Sequence, residues 1–225
     1  MKAQCLHEWQ ISASEAVSVQ KELAGRVVRD GAIGEVKLVA GVDVSVPRGQ
    51  NIVRAAIVVL SYPGLELVES RLAERPVELP YIPGLLSFRE APVILDAGEK
   101  LASIPDLILV DGQGLAHPRR LGLASHLGIL WDRPTVGCAK SRLCGEHGPV
   151  GPERGEWIEL MDGSETIGAV LRTRTGVKPL YISIGNRIDL AAAVRWVLDC
   201  GGGYRLPEPT RLAHQVAGGK TFLEQ

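Results

Sequence analysis

The sequence predicts an α/β fold, a mixed central sheet flanked by helices, and three observations carry that prediction. Leu107 to Val110 is a run of four apolar residues, too short for a helix and rich in β-formers, as expected of a strand buried on both faces. Ahead of it lie three strand-like segments joined by turns of a few residues. Such turns permit only antiparallel neighbours, because a parallel return needs a crossover of about a dozen residues. Segments with helical spacing of apolar residues precede, separate and follow these strands.

Taken in order, Ser12 with Glu15 three residues on has capping-box spacing, and Val19, Leu23 and Val27 recur at every fourth position, which predicts a helix. Gly25 weakens its last turn. Residues 30–35, with Gly31 and Gly34, form a loop. Val36 to Val46, Ile52 to Tyr62 and Leu65 to Ala73 read as strands, separated by turns at Pro47–Asn51 and Pro63–Gly64. Pro76 to Gly84 is a proline-rich loop, and a helix over Leu85 to Ala102 carries Phe88, Glu90, Leu95 and Leu101. After the buried strand come a helix around Leu121 to Leu130, a second buried strand from Pro134 to Ala139, and a glycine-rich surface loop over 144–156. Strands follow at Trp157–Met161, Thr166–Arg172 and Leu180–Ile184, with a hairpin signal at Asp162–Gly163. Leu190–Leu198 and Glu208–Ala217 are the final helices. With no internal repeat or low-complexity linker, residues 1–225 are expected to form one domain.

Composition narrows the functional classes. A net charge of −1 gives no global field for polyanions, so any nucleic-acid surface must be a local basic patch. Cys5, Cys138, Cys144 and Cys200 show no CxxC pairing, against a zinc site or a disulfide framework, and reduced thiols point to a cytoplasmic protein. No apolar run approaches the ~20 residues of a membrane span, and the N-terminus lacks the apolar core of a signal peptide.

The acids are more informative. Asp111 ends the buried strand and runs into Gly112-Gln113-Gly114, where open α/β sheets place their chemistry, although Asp-Gly also serves as a plain turn. Asp43, flanked by Val42 and Val44, is a costly charge in a half-buried strand unless something pairs with it. Glu90 lies on an amphipathic helix, where a glutamate can equally be solvated surface. Three antiparallel strands, a helix and a parallel strand is the element order of the ribonuclease H-like fold, and Asp43, Glu90 and Asp111 fall where that fold carries metal ligands. Phosphodiester hydrolysis needs a hard divalent cation, and Mg²⁺ takes carboxylates and water. A cation also removes the repulsion among crowded carboxylates.

The stretches around these acids resemble the endonuclease V family. They are Val39-Ala-Gly-Val-Asp43-Val-Ser, Pro80-Tyr-Ile-Pro-Gly-Leu-Leu-Ser-Phe-Arg-Glu90, Val110-Asp-Gly-Gln-Gly-Leu-Ala-His117-Pro, Gly137-Cys-Ala-Lys140-Ser-Arg-Leu and Pro207-Glu-Pro-Thr-Arg-Leu-Ala-His214. The resemblance implies hydrolysis of the second phosphodiester bond 3′ to deoxyinosine in DNA, with Mg²⁺ as cofactor and Mn²⁺ as a substitute. It implies that Asp43 and Asp111 hold the metal and that Glu90 completes the acidic site. His214 would stand by the metal, and Lys140 would contact phosphate or steady the attacking water. Tyr81, held between Pro80 and Pro83, would be the wedge that fills the place of a flipped base. Gly84, Leu86, Gly112, Gly114 and His117 would shape the base pocket, the glycines letting backbone approach the base edge.

Arg119, Arg120, Arg142 and Arg211 are candidates for a local phosphate-binding face. The sequence departs from the family at Asn186, in Ser183-Ile-Gly-Asn-Arg187, where the family usually has histidine, so a DNA or loop contact there is expected to differ. Deoxyinosine-containing DNA is the expected partner, with inosine-containing RNA as an alternative substrate and a non-catalytic lesion binder as a third reading. A monomer is expected.

Overall fold

A computed structural model describes residues 1–31 and 33–221, and among these it has five helices and eight strands. The first helix, α1 (Ala13–Ala24), starts on the capping box: the Ser12 hydroxyl accepts from the Glu15 N–H, and the Glu15 carboxylate accepts from the Ser12 N–H at 2.8 Å. It stops at Gly25, so Val27 lies beyond it. The buried face runs through Ala16, Gln20 and Leu23, not through Val19 and Val27. Ahead of α1 the chain lies across later helices, with Gln4 N–H donating to Leu130 O at 2.8 Å. His7 meets His126 there, Nε2 to Nε2 at 2.8 Å, in a cluster with Trp9 and Phe88.

Strands β1 (Leu38–Ser45), β2 (Ile52–Ser61) and β3 (Leu67–Pro76) form the expected antiparallel meander. β3 continues to Pro76, into the segment expected to be loop, because it is the edge of the sheet and a proline there removes no ladder bond. Helix α2 (Leu86–Glu99) ends before Ala102. β4 (Leu107–Val110) pairs parallel with β1, α3 (Leu123–Trp131) follows, and β5 (Thr135–Ala139) pairs parallel with β4. Residues 144–156 carry no helix or strand beyond an isolated bridge from Glu146 to Met161. β6 (Trp157–Asp162), β7 (Glu165–Leu171) and β8 (Leu180–Asn186) complete the sheet, and α4 (Leu190–Asp199) and α5 (Glu208–Ala217) follow.

The strand order β3-β2-β1-β4-β5-β8-β7-β6 puts three parallel strands at the centre, with antiparallel strands on both sides. Side chains alternate between two cores. Val39, Leu107, Leu109 and Val136 meet Val197 of α4 and Ala213 of α5. Ala40, Val42, Ile108 and Val110 meet Ile94 of α2 and Leu127 of α3. Helices on both faces are why β4 shows no polar alternation. None of the described helices is long and apolar enough to cross a membrane.

Gly41 sets how closely α5 packs. It lies between Val39 and Asp43 on the face that α5 covers, and a Cβ there would stand 2.0 Å from the backbone C and O of Pro209. Only glycine admits this approach.

Candidate active site

Register builds the acidic site. Val42 of β1 lies beside Val110 of β4, so the next residues, Asp43 and Asp111, stand side by side at the carboxyl ends of parallel strands. The Asp111 N–H donates to Val42 O at 2.9 Å. From α5, His214 Nδ1 reaches Asp43 Oδ2 at 2.6 Å. One ligand atom from each of Asp43, Asp111 and His214 lies within 4.8 Å of the others. Lys140 directly follows β5, and its ammonium pairs with Asp111 Oδ2. That contact lacks hydrogen-bond alignment, so this buried oxygen has a charge partner but no directed donor. Glu90, near the start of α2, lies outside the group of three, yet its half-buried carboxyl feels both aspartates.

Electrostatics call for a cation. Burial holds the Asp43 carboxyl above the ordinary carboxylate range, and the charge of Asp111 adds to this, while Lys140 and His214 oppose it. Burial pushes Glu90 up to about 8, Asp43 and Asp111 adding to the rise and Arg89 opposing it. Carboxyls that resist ionisation this way are ordinary once a divalent ion stands among them. The oxygen-rich donor set and the undirected Asp111 oxygen fit a hard metal ion, which Asp43, Asp111 and His214 could hold.

Beside the acids is a cavity of about 330 Å³ whose wall includes Tyr81, Gly84, Leu86, Gly112, His117 and Lys140. Tyr81 stands at its rim, 63% exposed. Gly114 is not on this wall. It is buried against β8, where a Cβ would lie 2.1 Å from Ile184 O, so its missing side chain answers to sheet packing and not to a base edge. His117 is on the wall, but both ring nitrogens are engaged: Nδ1 accepts from the Arg119 N–H at 3.1 Å and Nε2 donates to Gly84 O at 3.1 Å. Burial pushes its pKa down to about 4, with Arg119 and Arg120 contributing and the Gly84 bond opposing, so the ring is neutral.

The basic face is smaller than the sequence suggested. Arg119 bonds Gln20 and Gly84 O, Arg120 pairs with Asp162 and Glu165, and Arg211 pairs with Glu208. Arg142 is exposed on the cavity wall. Asn186 is buried: its Oδ1 accepts from the Val28 N–H and its Nδ2 donates to Gly128 O, each at 3.0 Å. It therefore ties the segment after α1 to α3 inside the protein and offers no surface contact.

Sequence reasoning missed Gln113, Ser141 and Leu143, which also line the cavity. It also missed Arg205, whose Nη2 donates to Lys140 O at 2.6 Å and Pro179 O at 2.8 Å and so pins the backbone that carries Lys140. Gln20 was missed too, and its signal was a polar residue in the apolar stripe between Ala16 and Leu23.

Parallel central strands that end in clustered carboxylates, beside a cavity lined by Lys140 and Arg142, form a candidate metal-assisted hydrolase site. The endonuclease V family model matches residues 21–215, and the chain belongs to that family. An endonuclease V of Dehalococcoides mccartyi is 54% identical over 217 residues, covering 96% of this chain and 97% of its own. The crystal structure of endonuclease V from Streptomyces avermitilis superposes with a TM-score of 0.88 at 41% identity, over 97% of this chain and 96% of that one. Endonuclease V of Ciona intestinalis, solved with a 24mer DNA containing an inosine followed by a ribo-adenosine, gives a TM-score of 0.78 at 28% identity, over 91% of this chain and 95% of that one.

Proposed function

We propose that this endonuclease hydrolyses the second phosphodiester bond 3′ to deoxyinosine in DNA, with Mg²⁺ as its cofactor and Mn²⁺ able to substitute. The observation that carries the reading is the meeting of Asp43, Asp111 and His214 beside a cavity with Tyr81 at its rim. A bound divalent cation supplies Lewis acidity, which lowers the pKa of water and offsets charge on the phosphate.

The chain's own groups do the rest. Asp43 and Asp111 hold the ion and Glu90 completes the acidic set. His214 Nδ1–H donates to Asp43 Oδ2, which orients the ring and leaves Nε2 as the nitrogen that can face an ion. Lys140, 38% exposed at its side chain, reaches out to a phosphate oxygen or the attacking water. Tyr81 fills the gap left in the base stack, and hypoxanthine enters the cavity, where backbone groups of Gly84, Leu86 and Gly112 meet its lactam edge. His117 serves as wall, and Arg142 contacts a phosphate. On this reading residues 1–225 are one catalytic domain, supported by a single sheet of eight strands, and work as a monomer in the cytoplasm.

The ribo-adenosine in the Ciona ligand is a specific reason to test inosine in RNA as a second substrate. The experiment incubates the protein and Mg²⁺ with end-labelled duplexes carrying one deoxyinosine, matched RNA with one inosine, and unmodified controls. Asp111→Ala and EDTA serve as blanks. A nick one nucleotide beyond the lesion, lost in both blanks, is expected. Tight binding with no nick under either metal would overturn the reading in favour of a lesion binder.

A further inference from the structure

The two lips of the cavity come from different parts of the chain. One is the end of the Tyr81 loop at Gly84, and the other is the segment from Gly112 to Leu121. Arg119 and His117 tie the second lip to Gly84 directly, and Gln20 adds a tie from outside both lips, on α1. Its side chain is buried, with the residue 1% exposed. Its Nε2 donates to Gly84 O at 2.9 Å and to Leu121 O at 3.2 Å, one hydrogen to each lip. Its Oε1 accepts from Arg119 Nε at 2.5 Å. A guanidinium has no acceptor, so the amide can stand only this way round.

Arg119 Nη2 and His117 Nε2 also donate to Gly84 O, at 2.7 Å and 3.1 Å. Three donors from α1 and the far lip therefore converge on one carbonyl. Gly84 itself has φ +79°, and a Cβ there would lie 2.6 Å from Arg119 Nη2, so the carbonyl is aimed by a conformation that glycine alone adopts readily.

We infer that Gln20 is a positioning residue for substrate specificity: it sets the width of the cavity that receives the flipped purine. The inference rests on the function proposed above. The hydrogen bonds of Gln20 go to Gly84, Leu121 and Arg119 and to none of Asp43, Asp111 or His214, so its loss acts on recognition and leaves the acidic site alone. Removing its amide takes this partner from Leu121 O and Arg119 Nε and one of three donors from Gly84 O, and the loosened lips are expected to weaken substrate binding about tenfold.

The test compares the native chain with Gln20→Met, an unbranched apolar replacement of similar length, and Gln20→Glu, which keeps the acceptor for Arg119 but turns an oxygen toward the two carbonyls. On deoxyinosine duplex, KM is expected to rise about tenfold in Gln20→Met and further in Gln20→Glu, with kcat nearly unchanged. Amide exchange is expected to speed up over residues 82–86 and 119–122, and to stay native in β1 and β4. Native KM and native exchange in both variants would overturn the inference. So would uniform acceleration of exchange with kcat and kcat/KM falling together, since that marks general destabilisation. Should Gln20→Met not fold, Gln20→Asn keeps the polarity while shortening the reach, and the same localised exchange is required of it. If the native chain does not nick deoxyinosine DNA, the functional reading fails, and the exchange measurement alone decides whether Gln20 ties the lips.

Discussion

Substituting alanine for Gly41 probes how the last helix brings His214 to the acids. The added Cβ would stand 2.0 Å from Pro209 C and O and 2.5 Å from Thr210 N, all backbone atoms that no rotamer change can clear. Ordinary contact begins near 3.4 Å, so the start of α5 must retreat by about 1.4 Å. His214 rides on the same helix, and a retreat of that size stretches its 2.6 Å contact with Asp43 to about 4 Å, outside hydrogen-bond range. A misplacement of about 1 Å at reacting groups lowers turnover by up to about 100-fold. Overpacking the α5–β1 contact costs about 1–3 kcal/mol of stability. The assay measures single-turnover nicking of a deoxyinosine duplex at saturating Mg²⁺, alongside Mn²⁺ affinity by calorimetry and a thermal melt. Gly41→Ala is expected to lose rate and metal affinity together, approaching His214→Ala. A folded Gly41→Ala protein with native rate and native metal affinity would refute the claim that this close approach places His214.

Three further outcomes are expected. Asn186→Ala removes the acceptor of the Val28 N–H and one of several donors to Gly128 O, which keeps the Arg133 N–H, so stability should fall by about 1–2 kcal/mol while turnover at 25 °C stays native; equal loss of both would show that Asn186 acts at the site. His126 is buried beside His7, and burial, with help from His7, pushes its pKa down to about 3. The unfolded ring takes a proton below about pH 6.5 that the folded one refuses, so stability should decline as pH falls from there toward 3, by up to about 1.4 kcal/mol per pH unit. Melting temperatures from pH 7.5 to 4.5 check this, and His126→Leu should flatten part of the slope. Tyr81→Ala should weaken discrimination between deoxyinosine and unmodified duplex while leaving metal affinity native, because Tyr81 is 63% exposed at the rim and is not among the three groups that could hold the ion; a matching drop in metal affinity would contradict that division of roles.

What could be read from the sequence follows the range of the forces involved. β4 was legible because helices on both faces leave an uninterrupted apolar run, and α1 because Ser12 and Glu15 act within one turn. The pairing of Asp43 with Asp111 was legible through element order, since antiparallel turns followed by a parallel return put both strands together at the centre. The end of β3 was not, because Pro76 breaks a strand everywhere except at an edge, and edges are decided by the whole sheet. Arg119 and Arg120 looked like surface cations because their partners lie far along the chain, at Gln20 and at Asp162 and Glu165. Gly114 was placed at the base pocket by the family resemblance, whereas its neighbour is Ile184 on a strand formed 70 residues later. His117 and Gln20 depend on a single carbonyl at Gly84, a geometry that no local pattern encodes.

The order in which the chain supplies its active-site groups bears on its synthesis. Asp43 and Asp111 are both present once β4 is made, but His214 sits on α5, the last described helix, and α5 is laid over β1 at Gly41. A nascent chain on the ribosome thus carries paired aspartates long before the imidazole that joins them exists. The three groups can meet only after His214 of α5 is made, 103 residues beyond Asp111.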